Sequence, residues 1–180
     1  MRIIFTRVSG GECLARLHRR DGVVVELPSV SRRWRVPHDL AHLVTERELL
    51  LATGLFGSLA AGAMFSNVKV VSGKPRHDAA ARSKRILTAN RRGLTVAEVL
   101  AGVLHQSVER CHPVPPYEKA REDWGIVEQR PFPWTEDDIA RATDTLRDTA
   151  QQWDALADTD TLDEFWPDVL TSPVPADTRT

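Results

Sequence analysis

The sequence lacks any apolar run approaching the roughly 18 to 20 residues that a membrane-spanning helix needs. Its opening residues, MRIIFTRV, hold two arginines and no extended apolar segment or small-residue cleavage site. A cytoplasmic protein is therefore expected. Cysteine is scarce: Cys13 and Cys111 are the only two, far apart and outside any C-x-x-C element. That argues against a disulfide framework and leaves two free thiols as the expectation. Net charge is nearly absent, at −1, so the total favours neither a polyanionic nor a polycationic partner. No G-x-S-x-G nucleophile elbow is present, since Gly57-Ser-Leu-Ala-Ala-Gly62 does not fit it, and the same segment lacks the lysine of a phosphate-binding loop. Internal repeats and low-complexity tracts are also missing.

What is present is the composition of a globular domain. The chain has 180 residues, 42% hydrophobic and 27% charged, enough for one hydrophobic core. The first thirty residues carry the β signal. MRIIFTRV is rich in β-formers, SGGE is a turn, CLARLHRR alternates, and Asp21-Gly22 suits a hairpin. Three antiparallel strands are expected near 2–8, 13–19 and 23–27, with Pro28 closing the last because it has no N–H for a ladder. About five helices should follow. The first runs from Pro37 to about Leu51, with proline in the first turn where its missing N–H is harmless. A second covers FGSLAAGAMF, and Val68 to Val71 suits a short strand. The third, from Asp78 to about Asn90, should stop at Arg91-Arg92-Gly93. A capping box at Thr95 to Glu98 would then start the fourth. A proline-rich connector follows, with one helical turn around Tyr117 to Asp123, and Thr135 to Asp138 caps the fifth helix. A short turn near Leu162 to Leu170 should dock through Phe165 and Trp166. The fold class is α+β: a small three-stranded sheet followed by a helical layer, one domain over 1–170 and a disordered tail over 171–180.

The chemistry concentrates in the helix PHDLAHLVTERELL, residues 37–50. On a helical wheel His38, Asp39, His42 and Glu46 share a polar stripe about 100° wide, opposite Leu40, Leu43, Val44 and Leu50. Two histidines four residues apart can share one metal ion, and H-x-x-x-H is the metal-binding half of the H-E-x-x-H arrangement. Asp39 occupies the position of the general-base glutamate there, one methylene shorter. It also sits where a carboxylate meets the positive end of the helix. Glu46 lies roughly 9 Å along the axis from the midpoint of a metal held by His38 and His42. It can orient His42 from behind, or join a different set of Asp39, His42 and Glu46 spaced like the Glu-x-x-His pairs of helical carboxylate sites.

One helix offers a single wall, so further ligands must come from elsewhere. Glu98, His105 and Glu109 fall within a sector of about 40° on the helix after Thr95. The set favoured from the sequence is His38, His42, His105 and Glu109 for a divalent transition metal, with Asp39 and Glu46 in catalytic roles and hydrolysis as the reaction class. His77-Asp78 and Cys111-His112 are further donors. A histidine–carboxylate pair could equally move protons without metal. The His38-Asp39 pair also invites comparison with HD-type phosphohydrolases, but His18 lies in an expected strand where that pattern needs a helix.

The chain's beginning resembles a group of small uncharacterised bacterial proteins. The residues that carry the resemblance are Arg20 with Asp21-Gly22, Pro37 to His42 with Glu46, and Gly54 through Gly62. They cover roughly the first 65 residues, and the resemblance implies no activity or ligand.

Two other functions compete with a metal site. Between Lys69 and Arg92 there are eight basic residues against one acid, Asp78, a footprint that would suit phosphates on a nucleic acid or an acidic protein. From Tyr117 onward sixteen acids face six bases, so this half would serve instead as an acidic interaction or regulatory surface. Its helix near 136–157 carries Ile139, Ala142, Leu146, Thr149, Ala150 and Trp153 at helical spacing, a stripe for the protein's own core or for self-association.

Overall fold

A computed structural model describes residues 1–8, 12–29, 34–109 and 114–176. Helices and strands are mixed as expected, but the sheet has five strands rather than three. β1 (Arg2–Val8), β2 (Glu12–His18) and β3 (Val24–Ser29) form the antiparallel meander. β4 (Lys69–Ser72) adds to the far side of β3, and β5 (Thr161–Phe165) adds to β1, giving the order β4-β3-β2-β1-β5. The segment expected only to turn near Leu162 is thus partly a strand, because β1 offers it a ladder from Arg2 to Thr6. Pro28 does not end β3: it stands opposite Leu14, and the strand continues to Ser29.

Alternation places Ile3, Phe5, Cys13, Ala15, Leu17, Val25 and Leu27 on one buried face. Cys13 is a free thiol whose pKa is pushed up by burial and by the nearby Asp39. Cys111 lies outside the described residues. The helices cover this face: α1 (His38–Glu48), α2 (Leu55–Ala61), α3 (Ala79–Val108), α4 (Pro116–Val127) and α5 (Glu136–Asp154). α4 is a full helix where one turn was expected. α5 starts with the expected capping box of Thr135 and Asp138. Its stripe of Ile139, Ala142, Leu146, Ala150 and Trp153 is buried in the common core, so that face is spent on the protein itself. From the expected tail, Ser172 is buried and accepts a hydrogen bond from Asn90. Residues 177–180 lie outside the described residues.

The largest departure from expectation is α3. It is one helix of 30 residues, about 45 Å long at 1.5 Å per residue, where two helices with a break at Gly93 were expected. Thr95 does not cap anything: its hydroxyl donates to the Arg91 carbonyl within the helix. Gly93 is there for a different reason, close approach. A Cβ at this position would overlap the Thr53 side chain and lie 2.9 Å from the Thr53 carbonyl oxygen. Gly93→Ala is accordingly expected to destabilise the fold by about 1–3 kcal/mol through overpacking. This would happen even though alanine is the better helix former by about 1 kcal/mol, and a urea denaturation curve reads the sign directly. No helix among the described residues is long and apolar enough to cross a membrane.

Candidate metal centre

The continuous α3 brings Glu98 against α1, free of the capping role that its sequence context suggested. Its carboxylate faces two imidazoles: Oε1 is 3.2 Å from His38 Nε2 and Oε2 is 3.0 Å from His42 Nε2. One ligand atom from each of the three residues lies within 4.8 Å of the other two. Two donors bound to one ion at about 2.1 Å stand roughly 3.0–3.4 Å apart, for right-angle to tetrahedral geometry. The histidine–carboxylate spacings fall in that range, and they serve equally for hydrogen bonds when a proton takes the ion's place.

Each histidine is held from behind. His42 Nδ1 lies 2.9 Å from Glu46 Oε1. Glu46 is fully buried, and the same carboxylate accepts from the Leu55 amide at Oε1 and from the Phe56 amide at Oε2, both at 2.9 Å. Those amides open α2, and anions are favoured at a helix N-terminus. A carboxylate so placed accepts, so Nδ1 of His42 donates and Nε2 is the nitrogen turned to Glu98. Gly54 makes room for the arrangement, since a Cβ there would lie 2.7 Å from Glu46 Oε1.

His38 is set by a second chain. His105 Nε2 is 3.0 Å from the Val36 carbonyl oxygen, which can only accept, so that nitrogen carries hydrogen. Burial, then the neighbouring charge of His38, holds His105 down at about pKa 4, so near neutrality its Nδ1 is bare. It accepts from His38 Nδ1 at 3.0 Å, which again turns Nε2 to Glu98. Glu109 grips the same residue from its other end, accepting from the Val36 amide at 2.9 Å. His105 and Glu109, expected as ligands, therefore stand one step back: they hold Val36, which leads into α1, from its two sides, and His105 holds His38.

The electrostatics follow from this geometry. Burial lowers the pKa of His42, but the hydrogen bonds and charges of Glu46 and Glu98 outweigh it and raise the pKa to about 10. The hydrogen bonds of His38 and His42 draw the Glu98 carboxyl well below the usual carboxylate range, against partial burial. The site opens to solvent on this side, where the Glu98 side chain is 66% exposed against 6% for His42.

Asp39 is not brought to the cluster. It is half-buried, its pKa is raised by desolvation against the opposing charge of His42, and its side chain hydrogen-bonds Ser29 of β3. The position that matches the general base of H-E-x-x-H thus lies outside the cluster, within electrostatic reach of its histidines. Glu46 belongs to the site as the support of His42, the role its distance along the axis had allowed. Among the remaining donors, His77 is exposed and Asp78 pairs with Arg76. Cys111 and His112 lie outside the described residues. Glu98 is the member of the cluster that the sequence reading left out of its ligand set. Its place on one stripe with His105 was visible there, but the capping-box reading had given it other work.

Comparison with protein-family models, curated proteins and solved structures finds no match for the chain.

Proposed function

We propose that this protein is a mononuclear metalloprotein with a hydrolytic centre, its ion held by His38 Nε2, His42 Nε2 and the Glu98 carboxylate. The observation that carries the reading is the pair of tautomer-setting chains. One runs from the α2 amides through Glu46 to His42, the other from the Val36 carbonyl through His105 to His38, and both aim Nε2 at one carboxylate. Ligating histidines are characteristically held in this way by a carboxylate or carbonyl behind them. Two imidazoles and a carboxylate without thiolate suit zinc or a divalent iron, nickel or manganese ion. Three protein donors leave coordination positions for water and substrate, and an ion so held supplies Lewis acidity and lowers the pKa of water. With Asp39 turned toward Ser29, the chemistry relies on that acidification and not on a neighbouring base of the H-E-x-x-H kind.

Elemental analysis of reconstituted protein tests the reading. About one equivalent of metal is expected in the wild type and almost none in His42→Ala. Added metal should raise the melting temperature of the wild type alone, because an ion that binds only the folded state stabilises it. If zinc, iron, nickel and manganese all fail to load and none moves the melting temperature, the proposal is wrong.

A further inference from the structure

In the sequence, the basic segment 69–92 and the histidine site look like rival functions separated by a helix break. The continuous α3 puts them on one surface. Lys84, Arg91 and Glu98 recur every seven residues along it, a step that drifts only about 20° around a helix. All three are exposed, as are Thr88 and Thr95 between them. At about 1.5 Å rise per residue, Lys84 stands roughly 10 Å from Arg91, and Arg91 roughly 10 Å from the metal ligand Glu98. A shallow groove of about 350 Å³ borders this flank, lined by Lys84, Thr88 and Arg91 with Ala80, Ser83 and Leu87. Other bases of the segment are already engaged: Arg76 with Asp78, Arg82 with the Ala61 carbonyl, Arg92 with Glu128. Among the described residues, Lys84 and Arg91 are in no ion pair. One turn beyond Glu98 the stripe reaches Gly102, where an added Cβ would meet nothing within 4 Å, so the line stays open past the metal ligand.

The shape selects the class of ligand. Small-molecule sites are concave and enclose most of their ligand, whereas this flank is open, straight and about 20 Å long from Lys84 to Glu98. A linear polyanion fits such a line. The five exposed positions carry no aromatic side chain, so bases have nothing to stack on and recognition falls to the charged backbone. A single row of cations matches a single strand. We propose that the Lys84–Arg91 flank of α3 and the metal centre form one track for a single-stranded phosphodiester chain, the two cations neutralising phosphates and the ion taking a phosphate oxygen. This rests on the metal reading above.

The test uses metal-loaded full-length protein and the anisotropy of a labelled oligothymidylate long enough to span the flank, with a duplex of equal length beside it. The single strand should bind at low salt and better than the duplex. Arg91→Gln and Lys84→Gln should each weaken binding by about three- to tenfold and reduce the salt slope by about 0.7, the value for one phosphate contact on a single strand. Chelation should weaken binding as well, and Lys119→Gln on α4 should leave it unchanged. No binding at low salt, a preference for duplex, or Arg91 and Lys84 variants that bind like the parent would each overturn the track. Elemental analysis of the same samples separates the two ideas. Stoichiometric metal with strand binding indifferent to Arg91 removes the track alone. Binding that needs both cations in protein that cannot load metal removes the metal reading and the joined track together.

Discussion

Glu46→Ala is expected to lower the unfolding free energy by about 3–5 kcal/mol, the usual result of removing one partner from a buried charged network. The size follows from what the carboxylate satisfies. It is fully buried and accepts from the Leu55 amide, the Phe56 amide and His42 Nδ1. Alanine leaves three donors behind without an acceptor, in a place water does not reach. The same substitution releases His42 from its tautomer, so metal affinity should fall by about 10–100-fold, as for other supports of ligating histidines. Chemical denaturation of chelated protein reads the first effect and a metal titration the second. Glu46→Gln divides the contributions, since its oxygen can still accept while its amino group faces a donor, and it should cost about 1–3 kcal/mol. Gly54→Ala reaches the same carboxylate from the other side, because its Cβ would displace Glu46 while its backbone, at φ −77°, accepts any residue. If Glu46→Ala proves as stable as the wild type, the carboxylate is not the anchor of the α1–α2 elbow.

The N-terminal sheet was legible because its evidence is local. Alternation in residues 13–17 and the Asp21-Gly22 turn depend on neighbours in the chain, and Gly22 has the positive φ, +79°, that such a turn requires. β4 was legible as a short strand but not its place beside β3, and β5 was not legible at all, because both pair with partners distant in sequence. Gly93 shows how a correct local rule can mislead. Glycine after two arginines is a good helix stop, yet here its missing Cβ admits Thr53, and packing against α1, α4 and α5 carries the helix through. That one error had a functional consequence. A helix beginning at Thr95 makes Glu98 a cap, whereas a helix running through it makes Glu98 a wall of the site. The histidines themselves were found by spacing alone, and His105 was placed near them correctly. Its role as a support could not be read from spacing, because it depends on the Val36 carbonyl, a backbone group of the chain entering α1.

Metal-free and metal-loaded protein are expected to differ most in alkali, and the reason is the proton on His42. Its pKa in the fold is about 10, above the ordinary histidine value of 6.5. Its contribution to stability is therefore fully present below about pH 6.5 and is lost as pH rises through about 10. His105 works in the other direction. The unfolded chain takes up its proton near 6.5 while the fold resists until about 4, so stability falls as pH drops through that interval. Glu98, held below the usual carboxylate range, adds to the acid side: its contribution is present above about 4.5 and is lost as pH falls further. Chelated protein should thus be most stable between these limits and weaken on both sides. An ion on His42 Nε2 displaces the proton, so loading near neutrality should release at least one proton, and affinity should rise about tenfold per pH unit for each proton displaced. Calorimetric titrations in two buffers of different ionisation enthalpy count those protons. Once the ion is bound, the loss of stability between about pH 7 and 10 should largely vanish, since no proton remains on that nitrogen to be lost. Parallel pH–stability curves for chelated and metal-loaded protein would mean that the proton, and not an ion, is what Glu46 and Glu98 hold on His42.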